Sequence, residues 1–84
     1  MRRDAVGEAI RSARLTSGMS QQQLADASGV SRPAIARIET GEASTQIDRL
    51  WELAEALNTA PSTLLAVAER LMQLPPTGNG TAKT

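Results

Sequence analysis

Apolar residues recur along this chain at spacings of three and four, the period of an α-helix, in five blocks separated by glycine, serine and proline. The first block sets Val6, Ala9, Ile10 and Ala13 on one stripe and is closed by Gly18. Ser20 can cap a second helix, with Gln23 placed to reach back to the cap's own N–H and Met19 placed to pack on Leu24. Gly29 soon ends that helix, because glycine enters left-handed backbone at no steric cost. Ser31 then caps a third helix, and Val30 packs on Ile35 as Met19 does on Leu24. Pro33 is tolerated there, since N–H groups in a first helical turn have no partner within the helix. Ile35 and Ile38 turn inward and Gly41 stops the helix.

Ser44 or Thr45 is expected to cap a fourth helix with a wide apolar face of Ile47, Leu50, Trp51, Leu53, Ala54 and Leu57. Pro61 opens a fifth, carrying Leu64, Leu65, Ala68, Leu71 and Met72. From Pro75 onward the run Pro-Pro-Thr-Gly-Asn-Gly-Thr-Ala-Lys-Thr has no periodicity and reads as a flexible tail. With no strand period and no internal repeat, the expectation is an all-α chain: one domain over residues 1–74 and a tail over 75–84.

Composition narrows the chemistry. Cysteine and histidine are both absent, which removes thiolate nucleophiles, disulfides, Cys-based zinc sites and the usual general base. The seven serines have no imidazole to activate them, and the acidic residues stand singly rather than as an oxygen cage. The sequence therefore predicts neither an enzyme nor a cofactor, metal or small-molecule substrate. No apolar run approaches the roughly 20 residues that cross a bilayer, and no signal-type stretch follows Met1, so a soluble cytoplasmic protein without membrane contact is expected. An 84-residue chain buries a modest core, which makes pairing with a second copy useful.

Net charge is zero, but its distribution is uneven. Up to Arg37, arginines at 2, 3, 11, 14, 32 and 37 outnumber Asp4, Glu8 and Asp26. Beyond it Glu39, Glu42, Asp48, Glu52, Glu55 and Glu69 outnumber Arg49, Arg70 and Lys83. A neutral molecule can thus present one positive face.

Two short helices hinged at Gly29 form a helix-turn-helix, a unit that can project its second helix into a DNA groove. Leu15-Thr16-Ser17-Gly18-Met19-Ser20-Gln21-Gln22-Gln23-Leu24-Ala25 followed by Ser28-Gly29-Val30-Ser31-Arg32-Pro33-Ala34-Ile35-Ala36-Arg37-Ile38-Glu39-Thr40-Gly41 closely resembles the phage-repressor and Cro-like regulators of bacteria. The likeness continues through Leu50-Trp51-Glu52-Leu53-Ala54-Glu55-Ala56-Leu57 and Leu64-Leu65, covering about residues 6–65. It implies a five-helix, lambda-repressor-like DNA-binding domain with helices two and three as the helix-turn-helix.

The resemblance makes Gln21 to Ser28 the positioning helix and Arg32 to Thr40 the recognition helix. With Ile35 and Ile38 inward, Arg32, Pro33, Ala36, Arg37 and Thr40 face out, and the first four are best placed for base edges. Arg37 can donate twice to guanine, or stand as an exposed arginine favoured by the helix dipole. Arg32 can read a base or hold a phosphate, whereas Pro33 and Ala36 can only sense a thymine methyl or permit close approach. The departure from relatives with Gln or Asn at these places leaves the base preference open. Gln21 matches the family's phosphate-binding glutamine, and Ser31, Thr40 and Arg14 join it as phosphate contacts. Arg14 and Glu39 also occupy the places where the repressors tie the first helix to the end of the third by an ion pair.

Trp51 stands either at the core edge of the fourth helix or in a dimer contact with Leu64, Leu71 and Met72. The function implied is a homodimeric repressor or autoregulator whose subunits read the two halves of a pseudo-palindromic operator in double-stranded DNA. A different class, an antitoxin that neutralises a toxin protein and regulates its own promoter, would use the acidic second half and the fifth helix as its partner surface.

Overall fold

A computed structural model describes residues 3–73, which form five helices: α1 (Arg3–Thr16), α2 (Gln21–Ser28), α3 (Arg32–Glu39), α4 (Ile47–Ala56) and α5 (Pro61–Gln73). The tail expected from Pro75 lies outside the described residues. Among these there is no strand, and no helix is long and apolar enough to cross a membrane.

Local chemistry sets the boundaries of α2 and α3. Ser20 accepts the Gln23 N–H at 3.0 Å while the Gln23 side chain accepts the Ser20 N–H at 2.8 Å, a complete capping box. Gly29 closes α2 with φ 79°, returning its N–H to Ala25, a backbone shape that a side chain at this position would strain. Ser31 caps α3 by accepting the Ala34 N–H at 3.3 Å. Ser20→Ala is expected to lower stability by ~1 kcal/mol, because the Gln23 N–H loses its acceptor and only the Gln23 half of the box remains. A urea midpoint unchanged from the parent would refute it.

All five helices contribute to one core. Its largest enclosed side chains are Ile10 from α1, Leu24 from α2, Ile35 and Ile38 from α3, and Leu53 from α4, with Leu64 and the small Ala68 of α5 buried beside them. α1 is the central strut: it packs on α5 along one side and on α3 along the other. Ala5, Gly7 and Ala9 permit this double contact by being small and buried. α2 bridges α3 and α4.

The fourth helix departs from expectation in two respects. Neither Ser44 nor Thr45 caps it; Gln46 holds the cap position with extended backbone (φ −77°, ψ 159°) and makes no side-chain cap bond. The cause lies upstream, where the N–H groups of Glu42 and Ala43 both return to the Arg37 carbonyl at 2.9 and 3.1 Å. The chain stays folded against the end of α3 to residue 43 and uses the next three to reach the new helix. Thr45 Oγ1 is left buried without a hydrogen-bond partner. The apolar face is also narrower than its composition suggests. Leu50, Leu53, Ala54 and Leu57 are buried, but Ile47 is 63% exposed and Trp51 55%. At 100° per residue those two fall on the flank of the buried stripe, where no neighbouring helix covers them.

Candidate nucleic-acid interface

α3 projects its outer face beside the start of α2. Arg32, Pro33 and Arg37 are exposed, Thr40 at the end of the helix is exposed, and Ala36 is half-buried. Neither Arg32 nor Arg37 has an ion-pair partner among the described residues. Around the helix axis Pro33 and Thr40 point most directly away from Ile35 and Ile38, and Arg37 and Ala36 stand on either side of them. Ser31 is exposed at the head of the helix, where its oxygen accepts from Ala34 and its hydroxyl hydrogen remains available.

A buried polar cluster fixes this helix to the rest of the fold. Arg14 donates through Nε to Glu39 Oε2 at 2.7 Å and through Nη2 to Oε1 at 3.0 Å, a bidentate pair between α1 and the last residue of α3. Its third nitrogen, Nη1, donates to the Met19 carbonyl at 2.9 Å, just ahead of the α2 cap. Gln21 adds a bond from Nε2 to Glu39 Oε1 at 3.1 Å. Three helices therefore converge on one carboxylate. The Glu39 hydrogen bonds raise the Arg14 pKa above the ordinary arginine range; burial works against this and the carboxylate charge works with it.

The cluster changes one role expected from the sequence. Arg14 is buried with each of its three nitrogens engaged, so it leaves the set of phosphate contacts; it orients the helices instead. Gln21, half-buried, keeps one amide hydrogen free beside the open N–H groups of the first turn of α2. Thr40 is exposed, with its hydroxyl donating to the Arg37 carbonyl at 3.2 Å.

Of the four residues expected at a dimer contact, Leu64 does not belong there. It is 2% exposed and packs inside its own subunit, because its position on α5 faces α1 rather than solvent. Trp51 and Met72 are exposed and Leu71 is half-buried against the core. Ile47, which the sequence places on the apolar face of α4 and outside that set, is exposed four positions before Trp51 on the same flank. Its spacing from Trp51 was the available signal. Among the described residues no group of three or more His, Cys, Asp or Glu side chains could hold a metal ion.

Comparison with known proteins agrees with this arrangement. Residues 10–64 match the helix-turn-helix family model. Control protein C.SmaI of Serratia marcescens is 38% identical over 63 residues, 75% of each chain. An uncharacterized HTH-type transcriptional regulator of Mycobacterium tuberculosis, Rv0474, is 40% identical over 58 residues. That match takes in 69% of this chain but 41% of the regulator, so the chain spans about two-fifths of that relative's length. The crystal structure of the clp gene regulator ClgR from Corynebacterium glutamicum superposes with a TM-score of 0.82 at 32% identity, over 86% of this chain and 94% of that one. Helix order, capping residues and sequence relatives agree: the chain belongs to the helix-turn-helix family, in the phage-repressor and Cro-like group of transcription regulators that its sequence resembles.

Proposed function

We propose that the chain regulates transcription by binding duplex DNA as a homodimer, each subunit laying α3 in the major groove of one half of a pseudo-palindromic site, with half-sites about 10 base pairs apart. The observation that carries this reading is the outward face of α3, which offers two arginines unpaired among the described residues on a helix locked in place by the Arg14–Glu39 pair. Arg32, Pro33, Ala36 and Arg37 meet base edges. Gln21 and Ser31 hold phosphates on either side, helped by the partial positive charge at the start of α2, and Thr40 joins them by turning its hydroxyl from the Arg37 carbonyl to the phosphate, which leaves that carbonyl its two backbone donors. Function is binding, without a catalytic step, and it is exercised in the cytoplasm of a bacterial cell.

Pairing of subunits is supported by the apolar flank of Ile47 and Trp51, together with exposed Met72, because a chain of this size gains stability from covering such side chains. Trp51 reports on it directly. On dilution its fluorescence should shift as the indole meets water, and a spectrum independent of concentration in a particle of monomer mass would reject the dimer.

DNA binding is tested by selection from a random duplex pool and competition at two salt concentrations. Affinity should fall as salt rises, through release of counterions from phosphates. The double variant Arg32→Ala/Arg37→Ala should lose sequence preference, and Gln21→Ala should weaken all duplexes alike. A double variant that still selects the parent's site would refute the assignment of α3 as the reading helix.

A further inference from the structure

We infer that each half-site carries two guanines on opposite strands, about two base-pair steps apart, enclosing a base pair read only through a thymine methyl group. This rests on the proposed reading of α3 as the helix that enters the groove. Arg32 is the first residue of α3 and Arg37 the sixth. Five residues at 1.5 Å advance the chain by about 7.5 Å, close to two base-pair steps of ~3.4 Å. The same five residues rotate it by about 140°, so the two guanidinium groups leave the helix on opposite flanks and address opposite walls of the groove. An arginine at either wall finds its two-acceptor partner, O6 and N7, on a guanine of the strand nearest it.

Between the two arginines, both along the axis and around it, stand Pro33 and Ala36. Neither side chain can donate or accept a hydrogen bond, and proline lacks even its N–H. Adenine and cytosine would need an amide or carboxylate partner, which this strip does not supply. A thymine methyl needs only apolar contact. The inner base pair is therefore discriminated weakly, in favour of thymine.

The two guanines are read with unequal stringency. The backbone carbonyl of Arg37 accepts three hydrogen bonds, from Glu42 N–H at 2.9 Å, Ala43 N–H at 3.1 Å and the Thr40 hydroxyl at 3.2 Å. That clamp holds the base of the Arg37 side chain at a fixed point relative to the body of the fold. Arg32, in the first turn, is held by the helix itself, and the Ser31 cap beside it engages Ala34 rather than Arg32. Preorganisation favours the partner whose geometry costs least to fix, so Arg37 discriminates more sharply.

The experiment is selection of duplexes from a random pool by the full chain, then competition with single-pair substitutions against the parent, Arg32→Ala and Arg37→Ala. Two G·C pairs per half-site with guanines on opposite strands are expected. Arg37→Ala should relax the preference at one of them by about 5- to 150-fold, and Arg32→Ala at the other by less. Replacing an inner thymine by uracil should weaken the parent a few-fold while leaving both guanine preferences intact. A consensus with both guanines on one strand, or an Arg32→Ala variant that weakens every duplex equally, would overturn this inference and leave DNA binding standing. Failure to bind any duplex at low salt would overturn both.

Discussion

Glu39→Ala is expected to cost the fold about 3–5 kcal/mol, a large share of the ~5–15 kcal/mol that holds a domain together. The side chains of Arg14 and Glu39 are 10% and 2% exposed, so their charges are largely out of water. Removing the carboxylate leaves a buried guanidinium with the Met19 carbonyl as its remaining acceptor, and strips the Gln21 amide of its partner as well. Desolvation already offsets much of the pair's attraction, so the penalty comes from orphaning one partner rather than from losing a strong bond. The double variant Arg14→Met/Glu39→Leu should therefore recover most of the lost stability, since neither charge is then buried alone. Urea unfolding of the parent, the single and the double variant measures this. A single variant within ~1 kcal/mol of the parent would place the pair among ordinary surface ion pairs. Arg14's pKa is higher in the folded chain than in the unfolded one. Its contribution is then complete below the ordinary arginine range and is lost only as pH climbs through the raised value, so mild alkali should not weaken the pair.

That cluster also marks how far the sequence is legible. The ends of α2 and α3 were readable because each depends on residues within four positions: Ser20 with Gln23, Gly29, and Ser31 with Pro33. Gly41 likewise ends α3 through its own positive φ of 83°. The cap of α4 was not readable, because it is decided by Glu42 and Ala43 folding back on Arg37, a contact that no cap preference encodes. Burial divided in the same way. Leu50, Leu53 and Leu57 follow helical period into the core, but the period cannot say how wide a stripe the neighbours cover, and so it groups Ile47 and Trp51 with them. At the candidate site, the outward set on α3 follows from Ile35 and Ile38 pointing in. The commitment of Arg14 and Gln21 to Glu39 depends on residues 25 and 18 positions apart in the chain, a separation at which local pattern carries no information.

Gly7→Ala reverses the sign that helix propensity gives. Within a helix, alanine is favoured over glycine by roughly 0.5–1 kcal/mol, so a reading of α1 alone predicts a gain. Gly7, however, is buried where α1 crosses the end of α3. A Cβ there would fall inside the van der Waals surface of the Ile38 carbonyl oxygen and 2.9 Å from that of Glu39. Both are backbone atoms, which cannot swing aside as a side-chain tip would, so α1 must back away from α3. Retreat is resisted from the other side, where α5 packs on α1, and it would open the close contact of Gly41, on which a Cβ would lie 3.2 Å from the Asp4 Cα. Any retreat also draws Arg14, two turns along the same face of α1, from its 2.7 Å contact with Glu39. Overpacking of this kind costs ~1–3 kcal/mol, enough to outweigh the propensity gain. For a domain of this size, each net kcal/mol lowers Tm by roughly 4–8 °C. Thermal unfolding followed by circular dichroism, with Glu8→Ala as the exposed control on the next residue, separates the two effects. A control near the parent and Gly7→Ala well below it would show that α1 is held by direct backbone contact; a Gly7→Ala variant as stable as the parent would show that the two helices have room to part.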